Sequence, residues 1–162
     1  MALHPALARL AWIVGRWRGG GHGVFPTIKA FDYVETVSFG SCGKPFLTYT
    51  GRTSHPVEKS PMHAEDGFWK VCPGTDKIAV ALSQNTGVTE HLEGIVSADG
   101  QSVHLISTAV HGPSFGKEPH VTKVERLYER VSDNELKYTL KMATENTPEL
   151  TLHLTGQLTR DD

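Results

Sequence analysis

From Asp32 to Leu158 the sequence repeats one pattern nine times: a short run rich in β-branched and aromatic residues, then a turn signal. The runs are DYVETVSF, PFLTYTGRT, GFWKV, KIAVALSQ, GVTEHLEGIVS, QSVHLISTAV, TKVERLYERV, NELKYTLKM and ELTLHLTGQL, punctuated by Gly-Lys-Pro, Asn-Thr-Gly, Ser-Ala-Asp-Gly and Ser-Asp-Asn. Composition and punctuation make these strands rather than helices. In NELKYTLKM, Leu136, Tyr138, Leu140 and Met142 alternate with Glu135, Lys137, Thr139 and Lys141, the period-two pattern of a strand with one dry face. Short connections between successive strands give an antiparallel meander, and a meander this long removes its edges most economically by closing into an up-and-down barrel. The interior of such a barrel can hold a small ligand.

One stretch departs from this pattern. LHPALARLAWIV spaces Leu3, Leu7, Leu10 and Ile13 or Val14 at three and four residues, with Pro5 in a first turn. That predicts a short amphipathic helix ending at Gly15. The 162 residues are 38% hydrophobic and 21% charged, enough for one real core. No linker, low-complexity tract or repeat divides them, so residues 1–162 are expected to form a single domain. A net charge of -2 without a Lys or Arg stripe argues against nucleic acid as a partner. LARLAWIVG is about half a membrane span and carries Arg9, so neither a membrane helix nor a signal peptide is predicted, and the expected location is the cytoplasm. Cys42 and Cys72 lack a CxxC spacing and read as free thiols of a reducing compartment.

The stretch GRWRGGGHGVFPTI, residues 15–28, is unusual in its bare backbone. Glycines among β-type neighbours permit sharp bending, close approach of backbones or positive φ, and let a ligand lie against the chain. A phosphate-loop reading fits poorly, because there is no GxxxxGK[ST] and no βαβ unit around it.

This stretch resembles the glycine-rich signature of the nitrobindin family. The similarity continues through HPALARLAWIVGRW, GKPFLTYTGRT, PMHAEDGFWKV, ALSQNTGVTE and ELTLHLTGQLTR, and so covers essentially the whole chain. The resemblance implies an all-β fold, a ten-stranded antiparallel up-and-down β-barrel with a short N-terminal helix, related in shape to fatty-acid-binding proteins. It implies one ferric haem b per chain, held through a single proximal histidine of the last strand, here His153. It implies a haem-dependent peroxynitrite isomerase that binds nitric oxide and converts peroxynitrite to nitrate. Gly19 to Ile28 would form the first strand and its turn, with Pro26, Thr27 and Ile28 against the haem face opposite the histidine. Met62, His63, Gln84 and Met142 fall on further pocket positions. The partners so implied are small molecules, with no nucleic acid and no membrane, and a homodimer is one assembly to consider.

The remaining histidines carry less. His4, His55, His91, His104, His111 and His120 fall in expected loops or on mixed strand faces, without HxxxH, HExxH or a His/Cys cluster, and are expected at the surface. His22 and His63 read either as solvated positions or as neighbours of a cofactor edge. Around His153, simple alternation places Leu150, Leu152, Leu154 and Leu158 on one face and Thr151, His153, Thr155 and Gln157 on the other. An inward His153 then sends the leucines outward, and the N-terminal helix or a second subunit about a two-fold axis is expected to cover them. Two other functions suit such a barrel: a haem-free carrier of a fatty acid or other small apolar ligand, and an interaction module using the leucine face.

Overall fold

The structure, a computed structural model, describes residues 2–162. Ten strands follow one another: β1 (Gly15–Phe25), β2 (Ile28–Ser41), β3 (Phe46–Ser54), β4 (Pro61–Val71), β5 (Lys77–Gln84), β6 (Thr89–Val96), β7 (Ser102–His111), β8 (Val121–Ser132), β9 (Glu135–Thr144) and β10 (Thr151–Arg160). Each pairs antiparallel with its neighbours in sequence, and β10 pairs with β1, so the sheet closes on itself. The nine runs legible in the sequence are β2 to β10. The glycine stretch supplies the tenth strand, starting at Gly15 rather than Gly19; only Pro26 and Thr27 form the turn, and Ile28 already opens β2.

Up-and-down order puts the same kind of connection at each end. One end is plugged by the predicted helix, a 3-10 helix over Pro5–Ile13, whose first turn is capped by His4 Nδ1 accepting from the Ala6 N–H at 3.1 Å. Leu7, Leu10 and Ile13 are fully buried, each contributing about 1.5–3 kcal/mol of apolar burial. Trp12 Nε1 donates to the Gly100 carbonyl at 2.8 Å and Trp17 Nε1 to the Ile13 carbonyl at 2.8 Å, while Arg160 stacks over the Trp17 ring at 4.4 Å. These contacts tie the plug to the β6–β7 turn and to the ends of β1 and β10. Above it Phe39, Leu47, Trp69, Val103 and Leu158 fill the barrel.

The glycines of β1 have a specific use. In the β1–β2 ladder Gly21 stands opposite Tyr33 and Gly23 opposite Phe31; in the β10–β9 ladder Gly156 stands opposite Tyr138, and Gly21 and Gly156 face each other. A Cβ at Gly21 would lie 2.1 Å from the Tyr33 ring, one at Gly23 2.2 Å from the Phe31 ring, and one at Gly156 2.3 Å from the Tyr138 ring. Three aromatic rings therefore lie flat over backbone that carries no side chain. Positive φ is not the reason: of the glycines from 15 to 23 only Gly15 adopts it, at 127°.

The last strand departs from simple alternation. Leu152 pairs with Lys141 and Leu154 with Leu140, which leaves His153 as the extra residue of a β-bulge. His153 and Leu154 both face the interior, and the phase is reversed beyond them: Leu158 is buried while Thr155, Gln157 and Thr159 are exposed. The expectation that Leu154 and Leu158 share an outer face with Leu150 and Leu152 is thus corrected. Leu152 alone of the four is exposed, Leu150 is half-buried before the strand, and the helix covers the barrel end instead of a leucine stripe.

Candidate functional site

The end opposite the plug opens into a cavity of about 770 Å³. Its lining includes Thr27, Ile28, Met62, His63, Gln84, Met142 and His153, so the pocket positions read from the sequence converge, with one exception: Pro26 sits exposed in the β1–β2 turn and does not line it. His22 lies outside, its Nδ1 2.7 Å from the Asp32 carboxylate. His111 and His120 are exposed, as expected, and also stand at the cavity rim. Their strand-end positions beside the β7–β8 connection bring them over the mouth.

His153 owes its orientation to two irregularities side by side. The β1–β2 ladder shifts register at Val24, next to the bulge in β10, and His153 Nδ1 lies 2.9 Å from the Val24 carbonyl. A carbonyl only accepts, so Nδ1 carries the proton and the neutral ring keeps its lone pair on Nε2. Burial lowers the pKa of His153 against the opposing pull of that hydrogen bond, which favours the neutral form. Phe25 and Phe31 meet the imidazole edge-on, with centroids at 5.7 and 6.2 Å. A tautomer fixed by a second partner and a ring held by packing are what a metal-ligating imidazole requires.

Below His153 a belt of buried polar side chains crosses the barrel. Arg126 donates to Glu65 at 2.7 and 3.3 Å and to Glu90 at 3.1 and 3.2 Å. Tyr49 donates to Glu65 at 2.6 Å, His63 Nε2 lies 2.9 Å from Glu65, and Gln84 donates to Glu90. Burial would raise the Glu65 carboxyl, but Arg126 and the His63 and Arg126 hydrogen bonds outweigh it and hold the group well below the usual carboxylate range. Tyr138 donates to Glu35 at 2.6 Å and meets the Tyr33 hydroxyl at 2.6 Å. With no guanidinium bonded to it, Glu35 is pushed up by burial to about 7, Tyr138 pulling only partway back.

His63 and Gln84 at the edge of this belt were named from the sequence, but its charged members Glu35, Glu65, Glu90 and Arg126 were not, although a signal for them exists. Glu35 shares a face with Tyr33 and Val37, Glu65 with Trp69, Glu90 with Leu92, and Arg126 with Val124 and Tyr128. A charged residue in phase with the apolar face of a strand is costly to bury unless paired, and four such residues on four strands of one barrel point to a shared network.

Fold and site together define a small-ligand-binding antiparallel barrel whose open end presents the unengaged Nε2 of His153 above a buried polar floor. The profile of the family described as THAP4-like, heme-binding beta-barrel domain matches residues 6–160, and the chain belongs to that family. It is 44% identical over 163 aligned positions to a peroxynitrite isomerase of Nocardia farcinica, covering 99% of this chain and 94% of that one. It is 38% identical to the human peroxynitrite isomerase THAP4, with 94% of this chain matching 26% of the longer human protein. The crystal structure of Rv2717c from M. tuberculosis superposes with a TM-score of 0.89 at 35% identity, over 99% of this chain and all (100%) of that one.

Proposed function

We propose that this chain is a haem-dependent peroxynitrite isomerase, with one ferric haem b per chain held by His153. The observation that carries the reading is the imidazole of His153, locked by the Val24 carbonyl with Nε2 free at the wall of a cavity of about 770 Å³. The residues around it fit a porphyrin. Phe25 and Phe31 are apolar and edge-on to the ring, and Met62 and Met142 offer adaptable, polarisable contacts to a flat ligand. Among the described residues no cluster of three His, Cys, Asp or Glu is arranged to hold a bare metal ion, so a metal at His153 needs a cofactor that brings its own ligands.

When bound, haem supplies a Lewis-acidic iron at which the O–O bond of peroxynitrite can be polarised. The chain supplies the rest. His153 would be the single protein ligand, and Thr27 and Ile28, which line the cavity without a charge, would leave the approach open to substrate or nitric oxide. The cavity walls would confine the substrate and so favour rearrangement to nitrate over escape of fragments. The Glu65–Arg126–Glu90 group sets two carboxylates against one guanidinium, a field that would favour the more positive, ferric metal.

A fatty-acid carrier needs a cation for the lipid carboxylate. Arg126, the cation of the floor, is already bonded to both Glu65 and Glu90, so a lipid carboxylate could take it only by breaking those pairs. Stopped-flow mixing of haem-loaded protein with peroxynitrite tests the proposal: decay should accelerate with protein concentration, and nitrate should rise at the expense of nitrite. Decay no faster than in buffer, with haem demonstrably bound, would rule the activity out.

A further inference from the structure

The sequence contains four tyrosines, and Tyr33, Tyr49, Tyr128 and Tyr138 are all inside the barrel, between 3% and 8% exposed. Two of them hydrogen-bond to carboxylates at the same distance, Tyr138 to Glu35 and Tyr49 to Glu65, each at 2.6 Å. The surroundings of the two carboxylates differ. Glu65 is also bonded by both terminal nitrogens of Arg126 and meets His63, so it is held ionised and is a poor proton acceptor. Glu35 has no partner except Tyr138 among the described residues, and burial raises its affinity for a proton. A phenol gives up an electron far more readily when a positioned base takes its proton in the same step.

The hydrogen-bond directions follow from the inventory. Tyr138 has one hydroxyl hydrogen, and it goes to the Glu35 carboxylate, so the 2.6 Å contact with Tyr33 is donated by Tyr33. A phenoxyl oxygen on Tyr138 would retain that donated bond.

We propose that Tyr138 is an internal one-electron donor that reduces nitrogen dioxide entering the cavity, with Glu35 accepting the phenolic proton and Tyr33 holding the phenoxyl oxygen. The proposal rests on the isomerase reading only for the origin of the oxidant, because nitrogen dioxide is released when the O–O bond of peroxynitrite breaks and the fragments separate. In the step, nitrogen dioxide gains one electron and leaves as nitrite. Tyr138 loses one electron and its O–H bond, and the proton bonds to Glu35 Oε1. Tyr33 and Tyr138 both line the cavity, within reach of a small radical. The Tyr128 ring lies 5.7 Å from Tyr138 and Trp69 4.9 Å from Tyr128, a route by which the electron hole moves into the closed half of the barrel. The barrel thus traps the radical that escapes recombination.

The test exposes the full chain, haem-free and haem-loaded, to nitrogen dioxide made by pulse radiolysis of nitrate. Freeze-quench electron paramagnetic resonance reads the radical, and peptide mass spectrometry maps 3-nitrotyrosine. Both forms should show a phenoxyl signal and severalfold more nitration at Tyr138 than at Tyr49. Glu35→Gln should lower the Tyr138 yield severalfold and leave Tyr49 unchanged, and folded Tyr138→Phe should lose the phenoxyl signal. Equal labelling of Tyr49 and Tyr138, or a Tyr138 yield indifferent to Glu35→Gln, overturns the proposal. The radical is generated without peroxynitrite or haem, so the haem-free result stands whether or not the chain is an isomerase.

Discussion

The two halves of the barrel are built from the same ten strands and hold opposite interiors. Toward the helix, inward positions carry Trp17, Phe39, Leu47, Trp69 and Leu158, and Leu7, Leu10, Trp12 and Ile13 of the helix close the end. Toward the mouth, the corresponding positions carry Glu35, Glu65, Glu90 and Arg126, then His153 and the cavity. An up-and-down barrel has no intrinsic need for both ends to be filled. The plugged half stabilises the fold, and the open half can then afford buried charge, a bulge and empty volume. Stability and function are separated along the barrel axis, and substitutions in each half should show it.

The largest effect is expected at the boundary. Glu65→Ala removes one of the two carboxylates that neutralise Arg126, a guanidinium 4% exposed, and should cost about 3–5 kcal/mol by denaturant unfolding. A loss below about 1 kcal/mol would show that water reaches the belt and that the halves are less distinct than described. In the closed half, Leu10→Ala opens a cavity beneath the plug and should cost about 2–5 kcal/mol, while haem affinity changes little.

The two belt carboxylates should separate by pH. Folding raises the Glu35 carboxyl from 4.5 to about 7, so the native state binds this proton more tightly than the unfolded chain. That contribution is fully present below the unfolded value and is lost as pH rises through about 7. Glu35→Gln cannot ionise and should exceed the parent in stability by up to about 3 kcal/mol at pH near 8, the gap closing toward pH of about 4. Glu65 is held low, so its contribution has the opposite sign, present above the usual carboxylate range and lost on acidification. Thermal melting across pH checks both. The smallest effect belongs to the outer surface at the mouth: Leu152→Lys should change stability by no more than about 0.5 kcal/mol, and a larger loss would mean that something covers this face.

How much of this the sequence disclosed follows from which patterns were local. Strand runs, turn signals and the helix repeat are local, and they gave the barrel and its plug. Of the eight pocket positions named through motif resemblance, seven line the cavity; local pattern could not supply them, because cavity lining is assembled from strands far apart in the chain. The facing of β10 was misjudged past His153, since a bulge adds one residue without any mark in an alternating Leu-Thr-Leu-His-Leu-Thr run. The charged members of the polar belt were missed for a different reason: Glu35, Glu65, Glu90 and Arg126 each look like an isolated surface charge until four strands are placed around one axis. The glycine run was recognised as a place for close approach, but what approaches, the rings of Tyr33 and Phe31, depends on the β1–β2 register.

The central claim is that the bulged His153 is the ligand for which the open half exists. Its most direct test is absorption spectroscopy during haem titration of His153→Ala beside the parent chain, with melting curves on the same samples. The parent is expected to take up one haem with a Soret band of a single-histidine ferric site. The variant is expected to melt within about 1 kcal/mol of the parent and to fail to reproduce that band or that affinity. A folded His153→Ala protein with an unchanged Soret band and unchanged haem affinity would contradict the claim.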